Sequence, residues 1–338
     1  MRRRIKAGAA GRMAVILALA LGAVAARAAE LSATDKAAVD QANKFCQRGA
    51  DFVQKDSLQR AKSEYLKALK VFPRHLDALY NLGVVCERLH ERDEAIGHYR
   101  HYLELSPQEA DVWNQLGVLS DEAGKPQEAM AAYEKALQID PGYGRAHHNL
   151  GILSKEQGRP AEAREHLEKF VQLEEAAGRR NGDAYYSLGV FHLEQLQVRD
   201  AKLLLQKAVD TDPSSPLYNN ALGDAYLLEQ QPDLAIGCYH KALEKDPKYA
   251  PAYSGLGDAR RLKNEIDQAA KAYRKALEIS PDYAVVQYKI ALMVETNDAP
   301  QAIRCLENYL RSGNHLRYQK DAAARLEKLK LSQQPTKP

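Results

Sequence analysis

The sequence predicts an all-α protein built from stacked helix pairs, and three regularities support this. A Leu-Gly step recurs along the chain, an Ala follows each Gly twelve residues later, and in most units a Pro stands twelve residues beyond that. The steps are Leu82-Gly83, Leu116-Gly117, Leu150-Gly151, Leu188-Gly189, Leu222-Gly223 and Leu256-Gly257. The alanines are Ala95, Ala129, Ala163, Ala201, Ala235 and Ala269, and the prolines Pro107, Pro141, Pro213, Pro247 and Pro281. Gly49, Ala61 and Pro73 keep the same spacing upstream, so units begin near 42, 76, 110, 144, 182, 216, 250 and 284, in steps of 34 residues with one of 38. Such a period marks repeats that bury their apolar faces only against their neighbours.

Each landmark has a physical cause. Apolar residues fall at helical spacing, as in Trp113, Leu116 and Gly117, then Ala129, Tyr133, Ala136 and Leu137. A glycine inside a helix costs about 1 kcal/mol relative to alanine. Its recurrence therefore implies that a neighbouring helix passes too close for a side chain, and the paired Ala serves the same end on the second helix. Proline cannot continue a helix, so it closes the second helix of each pair. Gly124-Lys125-Pro126 and Gly158-Arg159-Pro160 read as turns between the paired helices.

Two units depart from the pattern. The fourth carries four extra residues and has Glu175 in place of Pro, which predicts an extra turn of helix to Ala177 and a loop over 178–182. The eighth has Ala291 for the Gly and Ala302 one residue early. Tyr318, Ala322, Leu326 and Leu329 then form one apolar stripe, as a terminal capping helix should. The predicted organisation is an N-terminal export signal over 1–28, a short segment 29–41, units one to four over 42–181, units five to eight over 182–316, a capping helix over 317–331 and a disordered tail over 332–338.

Charge and the N-terminus narrow the function. Arg2, Arg3, Arg4, Lys6, Arg12 and Arg27 precede the first acid, Glu30, and setting them aside leaves 42 basic residues against 45 acidic ones. Nucleic-acid binding loses its electrostatic basis there. A basic head, an apolar run from Met13 to Ala26 and then Ala26-Arg27-Ala28 read as a cleavable secretory signal, giving a periplasmic or extracellular protein that meets the membrane only transiently. An uncleaved membrane anchor is the alternative, although the run falls short of the roughly 20 residues that span a bilayer. Cys46, Cys86, Cys238 and Cys305 show no CxxC or metal spacing and are expected to be free thiols.

The Leu-Gly, Ala, Tyr and Pro positions, repeated over 42–316, resemble those of the tetratricopeptide repeat family. The resemblance implies a right-handed superhelical solenoid of about eight helix pairs. The first helix of each pair would line a concave groove through positions 2, 5, 6, 9, 12 and 13. Carried over, position 6 supplies Gln47, Asn81, Gln115 and Asn149, an amide ladder suited to the backbone of an extended peptide. Position 9 supplies Val84, Val118, Ile152 and Val190 as an apolar strip, and position 5 adds His148 and Tyr186. Farther along, position 9 turns acidic with Asp224 and Asp258. The basic residues of the family's carboxylate clamp are absent from the corresponding positions.

Phosphate-loop, GxSxG and HExxH patterns are absent from the sequence. His98 and His101 share a helix face, but no third ligand joins them in the pattern, so no catalytic, cofactor or metal site is expected. The expected function is a scaffold or adaptor that binds one or more proteins or extended peptides outside the cytoplasm, with no cofactor. An assembly or pilot factor for an outer-membrane secretion or pilus complex is the first alternative. A self-associating structural protein, and hence a homo-oligomer, is the second.

Overall fold

A computed structural model describes residues 33–313 and 316–332. The expected signal over 1–28 and most of the expected tail lie outside the described residues. Among the described residues the chain is helical throughout and divides into two compact units, one ending at Ala177 and the next beginning at Gly178.

The first unit holds α1 (Ala33–Gln54), α2 (Leu58–Val71), α3 (Leu76–Arg88), α4 (Arg92–Leu105), α5 (Ala110–Glu122), α6 (Pro126–Ile139), α7 (Gly144–Glu156) and α8 (Pro160–Ala176). The second holds α9 (Gly182–Glu194), α10 (Val198–Thr211), α11 (Pro216–Leu228), α12 (Pro232–Lys245), α13 (Ala250–Leu262), α14 (Ile266–Ile279), α15 (Ala284–Val294), α16 (Ala299–Arg311) and α17 (Leu316–Ser332). Odd and even helices pack as pairs, and within each unit successive first helices also touch. The helix α1 starts well before the first repeat position because 33–41 contain neither Gly nor Pro to stop it.

Proline sets where the second helices end. The residue before a proline is driven out of the helical region, and Ser106, Asp140, Asp212, Asp246 and Ser280 all adopt φ between −143° and −130° with ψ between 78° and 95°. Where Glu175 replaces the proline, α8 continues to Ala176 and reaches 17 residues against 14 for α6. It stops at Gly178, which takes a φ of +67°. Asp140, Asp212 and Asp246 each accept a hydrogen bond from the backbone N–H two residues on, at 2.9–3.0 Å, which fixes the turn into the next pair.

The repeated glycines make room for a ring rather than for a bare backbone. A Cβ on Gly83, Gly117, Gly223 or Gly257 would stand 2.3–2.7 Å from Cε1 or Cδ1 of Tyr99, Tyr133, Tyr239 or Tyr273, each sixteen residues later on the partner helix. Gly151 and Gly189 face Leu167 and Leu205 in the same way. These tyrosines and leucines are fully buried, and the tyrosines with Ala95, Ala129, Ala235 and Ala269 form apolar clusters strung along the helix pairs.

The turn inside seven of the eight pairs places one residue in the left-handed region. Gly124 and Gly158 supply it without strain, but Asp56, His90, Leu196, Gln230 and Asn264 do so at φ of 54–62°. Leu196 is the least suited of these, and its side chain is 73% exposed. Leu196→Gly is therefore expected to raise stability by about 1 kcal/mol, because the left-handed penalty of about 1–2 kcal/mol outweighs the entropy glycine adds to the unfolded chain. Urea unfolding of the two proteins checks this.

At the far end α17 closes the stack. Tyr318 stacks on Tyr288 at 4.7 Å, Ala322 is buried, and Leu326 and Leu329 pack into the last apolar cluster. The Arg325 guanidinium grips both oxygens of Glu295 at 2.7 and 2.9 Å, and Lys330 pairs with Glu307 at 2.6 Å. This helix covers the apolar side of the last pair, which would otherwise face water.

Candidate partner-binding faces

The face formed by the first helices is the candidate site, and polar side chains knit it together within each unit. In the first unit His75 Nε2 meets Asn43 Oδ1 at 2.9 Å, and the Tyr143 hydroxyl donates to Asp111 at 2.5 Å. Gln115 Nε2 donates to Glu87, which also accepts from the Tyr99 hydroxyl. Asn149 Nδ2 donates to Asn114 Oδ1 at 3.1 Å.

These bonds correct the picture of an open amide ladder. Gln115, Val118, His148 and Asn149 are buried, and the two amides already hydrogen-bond neighbouring first helices. The correction extends to His148, whose ring lies against Phe170 of α8 at 5.1 Å instead of facing an open groove. The cause is the spacing of the first helices: they touch, so an amide midway between two of them finds a protein partner before it finds a ligand. Asn81, Val84, Ile152, Tyr186 and Val190 are half-buried, and Gln47 is exposed, with its amide 3.4 Å from Asp51. Tyr186 packs on Tyr218 at 5.6 Å.

The second unit presents a different face, of which the expected partner-binding positions include only Tyr186 and Val190. Tyr239 passes its ring between Gly223 and Gly255, and its hydroxyl emerges on the first-helix side to donate to Asp224 Oδ1 at 2.7 Å. Tyr273 repeats this toward Asp258, also at 2.7 Å. Asn220 Nδ2 donates to the other oxygen of Asp224 at 3.1 Å. Lys289 on α15 bridges to Asp258 and donates to Ser254 Oγ at 2.8 Å. Beside this network Leu228, Leu262 and Leu292, at positions 13, 13 and 9, are 47%, 41% and 38% exposed. The acids at position 9 were visible in the sequence. Lys289 could have been found as a position-6 cation one repeat after Asp258.

Burial pushes the Asp224 carboxyl up to about 6; the Tyr239 hydrogen bond and the Lys289 charge offset this only in part, and Asp258 adds to it. A carboxyl raised in the folded state holds its proton longer there than in the unfolded chain. Stability is therefore greatest below the unfolded value near 4 and falls as pH rises through 6. Asp224→Asn keeps an acceptor for Tyr239 and should raise stability at pH 7 by on the order of 1–2 kcal/mol. It should also flatten the slope between pH 4 and 7, read from melting temperatures across that range.

Helix pairs repeated at a fixed interval, seven of them with a first-helix Gly against a Tyr or Leu of the second helix, define a helical-repeat protein. Three tetratricopeptide repeat models match: one over residues 46–110, 87–144 and 148–216, one over 122–172 and one, described as a TPR repeat, over 257–298. Together they cover more than half of the sequence, and the chain belongs to the tetratricopeptide repeat family.

Solved structures show the same fold. A tetratricopeptide repeat protein from Parabacteroides merdae aligns with a TM-score of 0.61 and 18% identity, over 75% of this chain and 99% of that one. The APC/C hetero-tetramer Cut9-Hcn1 aligns with a TM-score of 0.59 and 21% identity, over 80% of this chain but only 52% of that one, about half its length. PilF from Pseudomonas aeruginosa aligns with a TM-score of 0.54 and 20% identity, over 68% of this chain and 99% of that one. No curated protein matches the sequence significantly. Family members are typically non-enzymatic scaffolds, and this chain is a repeat scaffold for protein–protein interaction.

Proposed function

We propose that the protein works outside the cytoplasm as a scaffold or adaptor holding one or more partner proteins, as extended polypeptide, against its first-helix faces. The exposed Leu228 and Leu262, set beside the Asp224, Asp258 and Lys289 network, are the observation that carries this. Apolar side chains of a partner would cover the leucines, and its backbone amides and basic groups would meet the carboxylates. Half-buried Asn81, Val84 and Ile152 extend the same use to the first unit. The basic head, apolar run and Ala26-Arg27-Ala28 support export. No described helix is long and apolar enough to cross a membrane.

A photo-crosslinking residue at Leu262 or Val84, in cells that make the protein natively, should in each case capture a partner polypeptide. The same probe at Leu203, 67% exposed on a second helix, should not. Capture of only a second copy of the chain would replace the scaffold by the self-associating alternative. Capture at Leu203 alone would remove the first-helix face from the function. Export is tested by the N-terminus of the protein recovered from the envelope, and a protein that still begins at Met1 in the cytoplasm would overturn it.

A further inference from the structure

Cys86, Glu94 and His98 converge where α3 meets α4. A sulfur, a carboxylate oxygen and an imidazole nitrogen there all lie within 4.8 Å of one another. Cys86 is buried near the end of α3. Glu94 and His98 stand one turn apart on α4 and so share a face. Glu91 stands in the turn between the helices, and its backbone N–H donates to the Cys86 carbonyl at 2.9 Å. A second repeat contributes as well: Lys62 on α2 sets its ammonium on Glu91 at 2.6 Å and on Glu94 at 2.7 Å. His98 and His101 alone formed a bare pair in the sequence, and folding supplies His98 with other ligand types.

We propose that Cys86, Glu94 and His98 bind a borderline divalent metal of the zinc class, with the Lys62 ammonium holding its place in the metal-free protein. Mixed sulfur, nitrogen and oxygen donors suit zinc and cobalt and do not suit calcium or magnesium. Bonds of about 2.0–2.3 Å around a tetrahedral ion put ligand atoms roughly 3.3–3.8 Å apart. Atoms within 4.8 Å of one another therefore have to draw together by at most about 1.5 Å, a movement the exposed Glu94 side chain can make. Binding releases the thiol proton to solvent, joins sulfur to the metal and expels the ammonium, whose charge opposes a dication. A water or Glu91 completes the fourth position.

The experiment adds cobalt(II) to the full chain carrying no affinity tag. A one-to-one complex should show a thiolate-to-cobalt charge-transfer band in the near ultraviolet, and zinc should displace it. Cys86→Ser should abolish the band. His98→Gln, at a half-buried position, should weaken binding about tenfold or more with an unchanged circular dichroism spectrum. Lys62→Gln should tighten binding roughly 2- to 10-fold by removing the competing cation. No band, a band that survives Cys86→Ser, or unchanged affinity in Lys62→Gln would each overturn the proposal.

Discussion

Tyr239→Ala is expected to destabilise the unit beginning at Gly178 by about 3–5 kcal/mol, the range for deleting a buried aromatic ring. The ring is fully buried between Gly223 and Gly255, and neither glycine has a side chain that could collapse into the void. The same change strips Asp224 of its hydroxyl donor while leaving the carboxylate half-buried, so part of the loss is electrostatic. Tyr239→Phe separates the two contributions: it keeps the ring, removes the hydroxyl, and should cost about 1–3 kcal/mol. Hydrogen exchange checks both, because repeats lean mainly on their neighbours. Protection should fall first in α11 to α14, whereas α3 to α6 should keep theirs. Equal loss along the whole chain would mean that the units unfold together.

Gly257→Val should cost about 1–3 kcal/mol or more from overpacking, despite the helix propensity gained on leaving glycine. Even the first added carbon would lie 2.3 Å from the Tyr273 ring, and that ring cannot retreat without leaving its hydrogen bond to Asp258. The eighth repeat shows how the chain itself resolves the conflict. Ala291 stands at the glycine position there, and Leu306 comes fifteen residues on, near where the other repeats carry Tyr or Leu. Gly257→Ala combined with Tyr273→Leu should therefore be more stable than Gly257→Ala alone. Urea midpoints of the single and double variants read this coupling directly. Additive costs would show that the glycine is needed for some reason other than the ring.

Helix boundaries, the interval of the repeat and the small positions were legible in the sequence by itself, because each has a local cause. A proline dictates the conformation of the residue before it whatever surrounds it, so Asp140 and Asp246 had to end their helices, and α8 ran on where Glu175 stood instead. The stripe Tyr318, Ala322, Leu326 and Leu329 likewise announced a covering helix from spacing alone.

Partnership between side chains was decided only by the tertiary structure. Asn149 and Asn114 lie 35 residues apart and could equally have faced a ligand. The distance between touching first helices turned them toward each other, and it buried Gln115 against Glu87 as well. Cys86 had no metal-like spacing along the chain, yet a single turn of backbone brings it beside Glu94 and His98. Periodicity tells which face of a helix a residue occupies, but the gap to the next helix determines whether a polar group there spends its hydrogen bonds inside the protein or keeps them for a partner.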